Sequence, residues 1–345
     1  MTPAISRRDF QARFPGMSSR ATRVIEVSDP PSAQHVCIDA RHAGQRIDNF
    51  LLGRLKGVPR AHVYRILRRG EVRANKGRVR PDYRLKSGDV VRIPPLRHVE
   101  PAIATPTGGA LRLIRDAILF EDAGLLVLDK PSGMAVHGGS GQRYGVIEAL
   151  RALRPDAPYL ELVHRLDRET SGCLIIAKKR SVLRVLHEGL RQHRLDKRYL
   201  LLVGGEWRGR GRKVEMELRK NTLRSGERVV RQDPTGKPSI THLRPLAVAR
   251  GVSLLEARIL TGRTHQIRVH AAASGHPVAG DDKYGDREIN RRLHRSGLRR
   301  LFLHASSLAF RSDGYALSVT APLPEELARV SRNLGIDPRG IDSQG

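Results

Sequence analysis

The 345-residue chain has only two cysteines, Cys37 and Cys173, and neither belongs to a C-x-x-C pair. That excludes a disulfide framework and a cysteine-built zinc site, and it suits a reducing cytosol. No apolar stretch reaches the ~18 residues a membrane-spanning helix needs, so no membrane is expected as a partner. A Walker phosphate loop, G-x-x-x-x-G-K-[ST], is missing. The glycine-rich "HGGSGQRYG" does not have the spacing G-x-G-x-x-G and lacks the helix start and downstream acid of a dinucleotide fingerprint; it reads as a structural turn or an RNA-touching loop. No G-x-S-x-G elbow supports serine hydrolysis. His265, His270 and His276 do not share one helix face and have no second ligand set near them, so neither metal nor cofactor is expected. The most telling shortage is of acid: 35 Asp and Glu stand against 63 Lys and Arg, a net +28. Such an excess calls for a polyanionic partner, nucleic acid before an anionic membrane surface.

At 39% hydrophobic residues the composition is that of an ordinary globular protein, and the length suggests about two domains. Residues 1–43 read as a basic, largely disordered extension, rich in Arg, Ser and Pro. The acid-poor start could also be an organelle-targeting segment, but no well-formed amphipathic helix accompanies it, and Met17 is an alternative start to Met1. In residues 44–97, "QRIDNFLLGRL" places Ile47, Phe50, Leu51 and Leu55 on one helical stripe, and "RAHVYRILRRG" repeats the pattern with Val63, Ile66 and Leu67 before Gly70. Strand-like "EVRAN" and "DVVRIP" follow. Arg60, Arg65, Arg68, Arg69, Arg73, Lys76, Arg78 and Arg80 gather on and after the second helix without matching acids. Like charges at helical spacing repel, so they call for an anionic ligand. "RIDNFL", "YRILRRGEVRANK" and "LKSGDVVRIPP" resemble the S4-like RNA-binding domain, an alpha-L motif of two helices on a small sheet that grips RNA by shape and phosphate.

Residues 98–112 read as a Pro/Thr/Gly-rich linker, residues 113–327 as the second domain and residues 328–345 as a tail. "LLVLDKPSGM" predicts a buried strand running into a turn at Lys130 to Gly133. "GVIEALRALRP" predicts a short helix, and "GCLIIAKK" and "RYLLLVGGEW" strands. Ser181 is expected to cap a helix with the stripe Val182, Val185, Leu186 and Leu190. "SLLEARILTGRTHQIRVHAAASGHP" reads as a strand, a turn at Gly262, and a helix capped by Thr264 and closed by Gly275. Irregularly spaced strands outnumber helices, which favours α+β with a large mixed sheet over a βαβ repeat.

One acid stands out. In "HRLDRETSG", Asp167 lies behind an arginine and ahead of Thr-Ser-Gly; alone, this reads as a side-chain-capped turn entering a strand. The stretch resembles the signature of the RluA family of pseudouridine synthases, "LDKPSGMAVH" is similar to that family's first motif, and "LTGRTHQIRVHAAASGHPVAGDDKYG" to its third. The resemblance runs from Gly44 to about Leu323, and an S4-like domain ahead of the catalytic one is a common arrangement there.

What the resemblance implies is specific. The catalytic domain would carry a large mixed, mainly antiparallel sheet with a central cleft. Asp167 would be the nucleophile that turns uridine into pseudouridine, an isomerisation needing no cofactor. A carboxylate covered by a flipped base tends to protonate unless an opposite charge holds it ionised, and Arg268 matches the family's arginine for that task. Tyr199 matches the tyrosine that stacks on the uracil, Ile267 the apolar residue lining the other side, and Arg165 would enter or brace the RNA as the base leaves. Each has a plainer reading: Tyr199 and Ile267 as core, Arg165 as a phosphate contact, Arg268 as a surface ion pair or phosphate contact. Among members, the chain looks closest to those acting on 23S ribosomal RNA of the large subunit or its assembly intermediates. The expectation is a cytoplasmic monomer; a non-catalytic S4-domain ribosome-assembly protein and an RNA methyltransferase are the alternatives.

Overall fold

Hydrophobic patterning divides the chain where charge and proline interrupt it, and the computed structural model divides near residue 102 into two units. It describes residues 32–40, 42–55, 58, 60–95, 106–138, 144–222, 228–312 and 315–337. Most of the expected N-terminal extension, both candidate starts, and residues 139–143 of the glycine-rich stretch lie outside these.

The smaller unit runs β1 (Gln34–Cys37), α1 (Ile47–Arg54), α2 (Arg60–Arg69), β2 (Arg73–Ala74), β3 (Gly77–Arg78) and β4 (Val90–Ile93). Its four-stranded sheet has the order β1-β4-β2-β3. The predicted stripe residues of both helices, Ile47 through Leu67, are buried with Val72, Leu85, Val91 and Ile93. Asp48 is buried too, accepting from Arg46 Nη2 (2.7 Å) and Tyr64 Oη (2.9 Å), which ties α1 to α2. Asn75 and Lys76, both at positive φ, form the two-residue turn between β2 and β3. β1 and the buried Ile38 correct the reading of residues 1–43 as extension throughout: β1 pairs with β4, so the folded unit begins before Gly44.

The larger unit contains α3 (Gly108–Asp116), β5 (Ile118–Glu121), β6 (Leu125–Lys130), α4 (Val146–Leu153), β7 (Glu161–Leu162), β8 (Ser171–Ala177), α5 (Arg180–Arg191) and β9 (Leu195–Gly204). It continues with β10 (Arg212–Thr222), β11 (Arg228–Gln232), β12 (Lys237–Ala249), β13 (Val252–Ile259), α6 (Gln266–Ala273), α7 (Arg287–Arg295), β14 (Leu303–Ser312), β15 (Tyr315–Thr320) and α8 (Glu325–Asn333). The strands form one sheet in the order β11-β10-β12-β13-β9-β14-β8-β6-β5, with β15 beside β14 and β7 beside β8. Every described pairing in it is antiparallel except β14 with β8. The expected α+β class with a mixed, mainly antiparallel sheet is what the chain forms.

Several local expectations need correction. α3 starts at Gly108 with Thr107 Oγ1 accepting from Ala110 N, so the expected linker ends before residue 112. α8 runs into the expected tail, where Val330, Leu334 and Ile336 are buried. Ser181 does not cap α5: Lys179 occupies the N-cap without a side-chain bond, and Val185 is exposed while Leu183 packs on the core. Thr264 does not cap α6 either, because His265 takes the N-cap in a left-handed conformation, φ 54 and ψ 19.

The strand pairs around β8 fix the "HRLDRETSG" segment. At the parallel junction His304 lies opposite Ser171 and Ala305 opposite Gly172. Gly172 has φ +108, and a Cβ there would stand 2.2 Å from Ala305 O, so only glycine fits. The buried His304 Nε2 donates to Ala321 O (3.2 Å), leaving Nδ1 to accept from Ser171 Oγ (2.9 Å), which itself accepts from Arg300 Nη2 (3.1 Å). His164 Nε2 accepts from Ile175 N at 3.2 Å, standing in where the short β7 has ended. Most central is Lys130, fully buried, whose ammonium donates to the carbonyls of Pro131 (2.7 Å), Met134 (2.8 Å) and Arg168 (3.0 Å). Gly133 N also donates to Arg168 O (2.9 Å), and Ser132 Oγ to Glu169 O (2.8 Å). Burial pushes Lys130 down to about 7, opposed by the charges of Glu169 and Asp167. Only the ammonium form can donate to three carbonyls at once, so these bonds favour the charged form against burial.

Two outcomes are expected. Lys130→Met strands three buried carbonyls and should destabilise the protein by about 3 kcal/mol or more in urea unfolding; a loss under about 1 kcal/mol would contradict the staple. Burial also pushes His270 and His304 down to about 4. Their folded pKa values lie below the unfolded value, so between about pH 6.5 and 4 the unfolded chain takes up protons that the folded chain refuses. Each should cost up to about 3 kcal/mol over that window and nothing above pH 7. An acid slope no steeper than that of a His270→Gln/His304→Asn variant would refute this.

Candidate active site

Asp167 sits in the loop between β7 and β8, with the buried Leu166 and Thr170 on either side anchoring it and its own side chain 27% exposed. Thr170 N donates to Asp167 O (3.2 Å), so the turn is closed by the backbone and not capped by the Asp167 side chain as its plainer reading expected. Its carboxylate accepts no hydrogen bond among the described residues. Arg268 Nη1 approaches Oδ2 at 3.7 Å and His265 Nε2 approaches the same oxygen at 4.0 Å.

Arg268 is aimed by a second carboxylate that the sequence reading missed. Asp281, 1% exposed, accepts from Arg268 Nε and Nη2, both at 2.7 Å, and from the backbone N of Lys283 (2.9 Å) and Tyr284 (3.1 Å). Hydrogen bonds from Arg268 and these amides, together with its charge, outweigh burial and hold Asp281 below the usual carboxylate range. A fork bonded on two nitrogens keeps one free edge, and that edge faces Asp167. The Tyr284 ring lies 5.1 Å from the Arg268 guanidinium carbon, a cation–π contact. The plainer reading of Arg268 as a surface ion pair is therefore corrected: it is buried, and both its carboxylates belong to this cluster.

The "TGRTHQIR" turn is built for this placement. Gln266 Oε1 accepts from Thr261 Oγ1 (2.7 Å) and Arg263 N (3.0 Å), while Nε2 donates to Ile240 O and Thr241 Oγ1, each at 3.0 Å. The left-handed His265 costs about 1–2 kcal/mol for a residue with a Cβ. That conformation turns its ring to Tyr284 Oη, 2.8 Å from Nδ1. His270 and His276 point elsewhere, His270 Nε2 to Ser239 Oγ (2.8 Å) and His276 Nδ1 to Gly204 O (2.9 Å), so the three histidines share no ligand position. Among the described residues no group of three His, Cys, Asp or Glu could hold a metal.

Tyr199, on β9 opposite Ala257 of β13, is 6% exposed, and Ile267 on α6 is 5% exposed in the same apolar cluster. Burial, then the charge of Asp167, raises the Tyr199 phenol, so it is protonated at neutral pH. Arg165 is exposed next to buried Leu166. The structure thus gathers Asp167, Arg268 and Tyr199 and puts Ile267 beside them in the chain. Asp281, His265, Tyr284 and Lys130 complete the surroundings. Only Lys130 carried a sequence signal, a lone cation ending an apolar strand.

In the smaller unit Arg65, Arg68, Arg69, Arg73, Lys76, Arg78 and Arg80 are exposed; the side chain of Arg60 lies outside the described ones. One expected feature is corrected: Glu71 Oε1 lies 3.8 Å from Arg69 Nη1, so the cluster is not without acids. Arg78 Nη2 donates to Arg69 O (2.8 Å) across Gly70, where a Cβ would meet Arg78 Nε at 2.1 Å.

Comparison with known proteins bears on the family and the fold. A family model described as RNA pseudouridylate synthase matches residues 124–273, and one described as S4 domain matches residues 45–91. Ribosomal large subunit pseudouridine synthase C of Yersinia pestis is 53% identical over 301 residues, covering 86% of this chain and 94% of the relative. The protein of the same name from Escherichia coli strain K12 is 52% identical over 313 residues, 89% of this chain and 98% of the relative. The solved human RNA pseudouridylate synthase domain containing 1 superposes with a TM-score of 0.51 at 27% identity, covering 60% of this chain and 83% of that one. Human RNA pseudouridylate synthase domain containing 4, TM-score 0.55 at 24% identity over 65% of this chain and 95% of that one, shares the fold. With relatives 52% and 53% identical over most of its length and both family models matched, the chain belongs to the RNA pseudouridylate synthase family.

Proposed function

We propose that this chain converts uridines of 23S ribosomal RNA, in the large subunit or its assembly intermediates, into pseudouridine, with Asp167 as nucleophile. One observation carries the reading: a carboxylate that accepts no hydrogen bond among the described residues stands 3.7 Å from a guanidinium already oriented by a second carboxylate. Lone pairs engaged by no donor are available to an electrophile, and the fixed cation balances their charge without neutralising them by proton transfer. The names of the relatives, which specify the ribosomal large subunit, support the choice of RNA.

The bond from uracil nitrogen 1 to the ribose breaks as Asp167 adds to ribose carbon 1 or to the base ring. The base turns, carbon 5 joins ribose carbon 1, the bond to Asp167 breaks and returns its carboxylate, the carbon 5 proton leaves, and nitrogen 1 gains a proton. Product and substrate are isomers, which accords with the lack of a cofactor motif. Tyr199 and Ile267 form the two apolar walls for the flipped uracil. The raised phenol of Tyr199 suits a neutral stacking ring and disfavours it as a resting base. Arg165, exposed in the same loop as Asp167, occupies the space the base vacates. Flipping costs a few kcal/mol in lost stacking, and phosphate contacts from Arg60, Arg65, Arg68, Arg69, Arg73, Lys76 and Arg78 offset it. The named site residues give no reason to require a second copy, so the reading is of a monomer, and a ribosomal RNA substrate suits a cytoplasmic enzyme.

Tritium release from unmodified 23S ribosomal RNA labelled at uracil carbon 5, without added cofactor, tests the reading. Wild type should release tritium and leave pseudouridine, and Asp167→Asn should lose at least about 1,000-fold while still binding RNA. A folded Asp167→Asn variant of undiminished activity would instead favour a scaffold role. Separately, replacing Arg65, Arg68 and Arg69 by Ser should weaken RNA binding and flatten the slope of log K against log salt by about 2–3, leaving the single-turnover rate at saturating RNA unchanged. An unaltered slope would remove these residues from the RNA contact.

A further inference from the structure

Beside the reactive carboxylate stands a histidine whose protonation pattern is fixed by its neighbours. Val230 N donates to Tyr284 Oη at 2.8 Å, occupying one of its acceptor sites. The hydroxyl has one proton to give, and among the described residues the acceptor within reach is His265 Nδ1, at 2.8 Å. An imidazole that accepts at Nδ1 carries its proton on Nε2. That Nε2–H faces Asp167 Oδ2 at 4.0 Å, the same oxygen that Arg268 Nη1 approaches at 3.7 Å. The gap exceeds a hydrogen bond by about 1 Å, a distance that rotation of two side chains closes as a substrate seats.

The ring belongs to the site by geometry and by electrostatics. It is 14% exposed, edge-on to Tyr284 with centroids 5.5 Å apart, and carried on a left-handed residue that a sequence seeking only a helix cap would fill with Asn, Asp or Ser. The charged groups facing it are Asp167 and Asp281, which favour its protonation, and Arg268 and Lys283, which oppose it; burial is the largest influence, and the balance lies below the ordinary imidazole range. At neutral pH it is an uncharged donor.

We propose that His265 is a positioning residue of the reaction, an imidazole locked by Tyr284 as its Nε2–H tautomer so that its N–H and Arg268 together hold Oδ2 of Asp167 and leave Oδ1 to meet the substrate. This rests on Asp167 being the nucleophile, and it adds what decides which oxygen attacks.

The test uses the full-length protein labelled with ¹⁵N-histidine, with His265→Asn assigning the resonance. In wild type the His265 signals at pH 8 should be those of a neutral ring protonated at Nε2, with any titration midpoint below 6.5, and Tyr284→Phe should mix the tautomers. A proton on Nδ1, or titration at or above pH 6.5, would overturn the proposal. In single-turnover tritium release, His265→Asn keeps the Nδ1-like acceptor and tolerates the left-handed backbone but withdraws the distal N–H. The rate should fall about 10- to 100-fold with RNA affinity unchanged. His265→Gln, which extends an N–H again, should return to within about 3-fold of wild type, a rescue that mere packing would not give. A folded His265→Asn variant as fast as wild type sinks the inference even if Asp167→Asn is dead; a wild type that makes no pseudouridine sinks the functional reading, and the tautomer spectrum still judges the Tyr284 lock. Should His265→Asn fail to fold, Tyr284→Phe and His265→Gln carry the comparison.

Discussion

An ammonium placed where water does not reach must find its partners in the protein, and Lys130 finds them in three backbone carbonyls from two separate loops. The turn after β6 and the segment carrying Asp167 are held together through this one charge. Arg168 O, one residue after the reactive acid, receives both Lys130 Nζ and Gly133 N, so the chain just beyond Asp167 is held twice. Losing a buried ammonium costs more than the sum of its bonds, since each carbonyl then faces an apolar interior with no donor. The other half of the site is fixed independently by the Arg268–Asp281 fork on and after α6. Two separate anchorages set the 3.7 Å between Asp167 and Arg268, which is the kind of preorganisation a developing charge can use.

The elements that sequence made legible are those whose side chains report their own burial. Ile47, Phe50 and Leu51 in α1, the apolar runs of β6, β8 and β9, and Leu186 in α5 lie where their spacing puts them. β10 to β12 carry charged residues on a solvated face, so their strand character resides in backbone pairing with distant partners. Caps misled for a related reason. Ser181 and Thr264 have the right chemistry, yet the chain enters those helices one or two residues earlier or later because tertiary contacts set the entry angle, as at left-handed His265. Within the site, Asp167, Arg268 and Tyr199 were reached through resemblance, whereas Asp281 sits beside Asp282 in "GDDKYG" and nothing local says which of the two is buried beneath an arginine.

The shortage of acids takes on a physical meaning once each is placed. Asp48, Asp89, Asp122 and Asp281 each accept two or more hydrogen bonds from side chains or backbone amides, and all four are held below the ordinary carboxylate range. They serve as structural counter-charges, and their lone pairs are spoken for. A carboxylate engaged in this way is a poor nucleophile, because attack requires giving up donors that the interior cannot replace. Asp167 is treated differently by the same fold. It is 27% exposed, has a fixed cation and a neutral ring at the edge of bonding distance from one oxygen, and accepts no hydrogen bond among the described residues. In a protein that otherwise surrounds itself with cations to hold a polyanion, a carboxylate that a buried, oriented arginine and a histidine face without bonding is placed to be used by something that arrives.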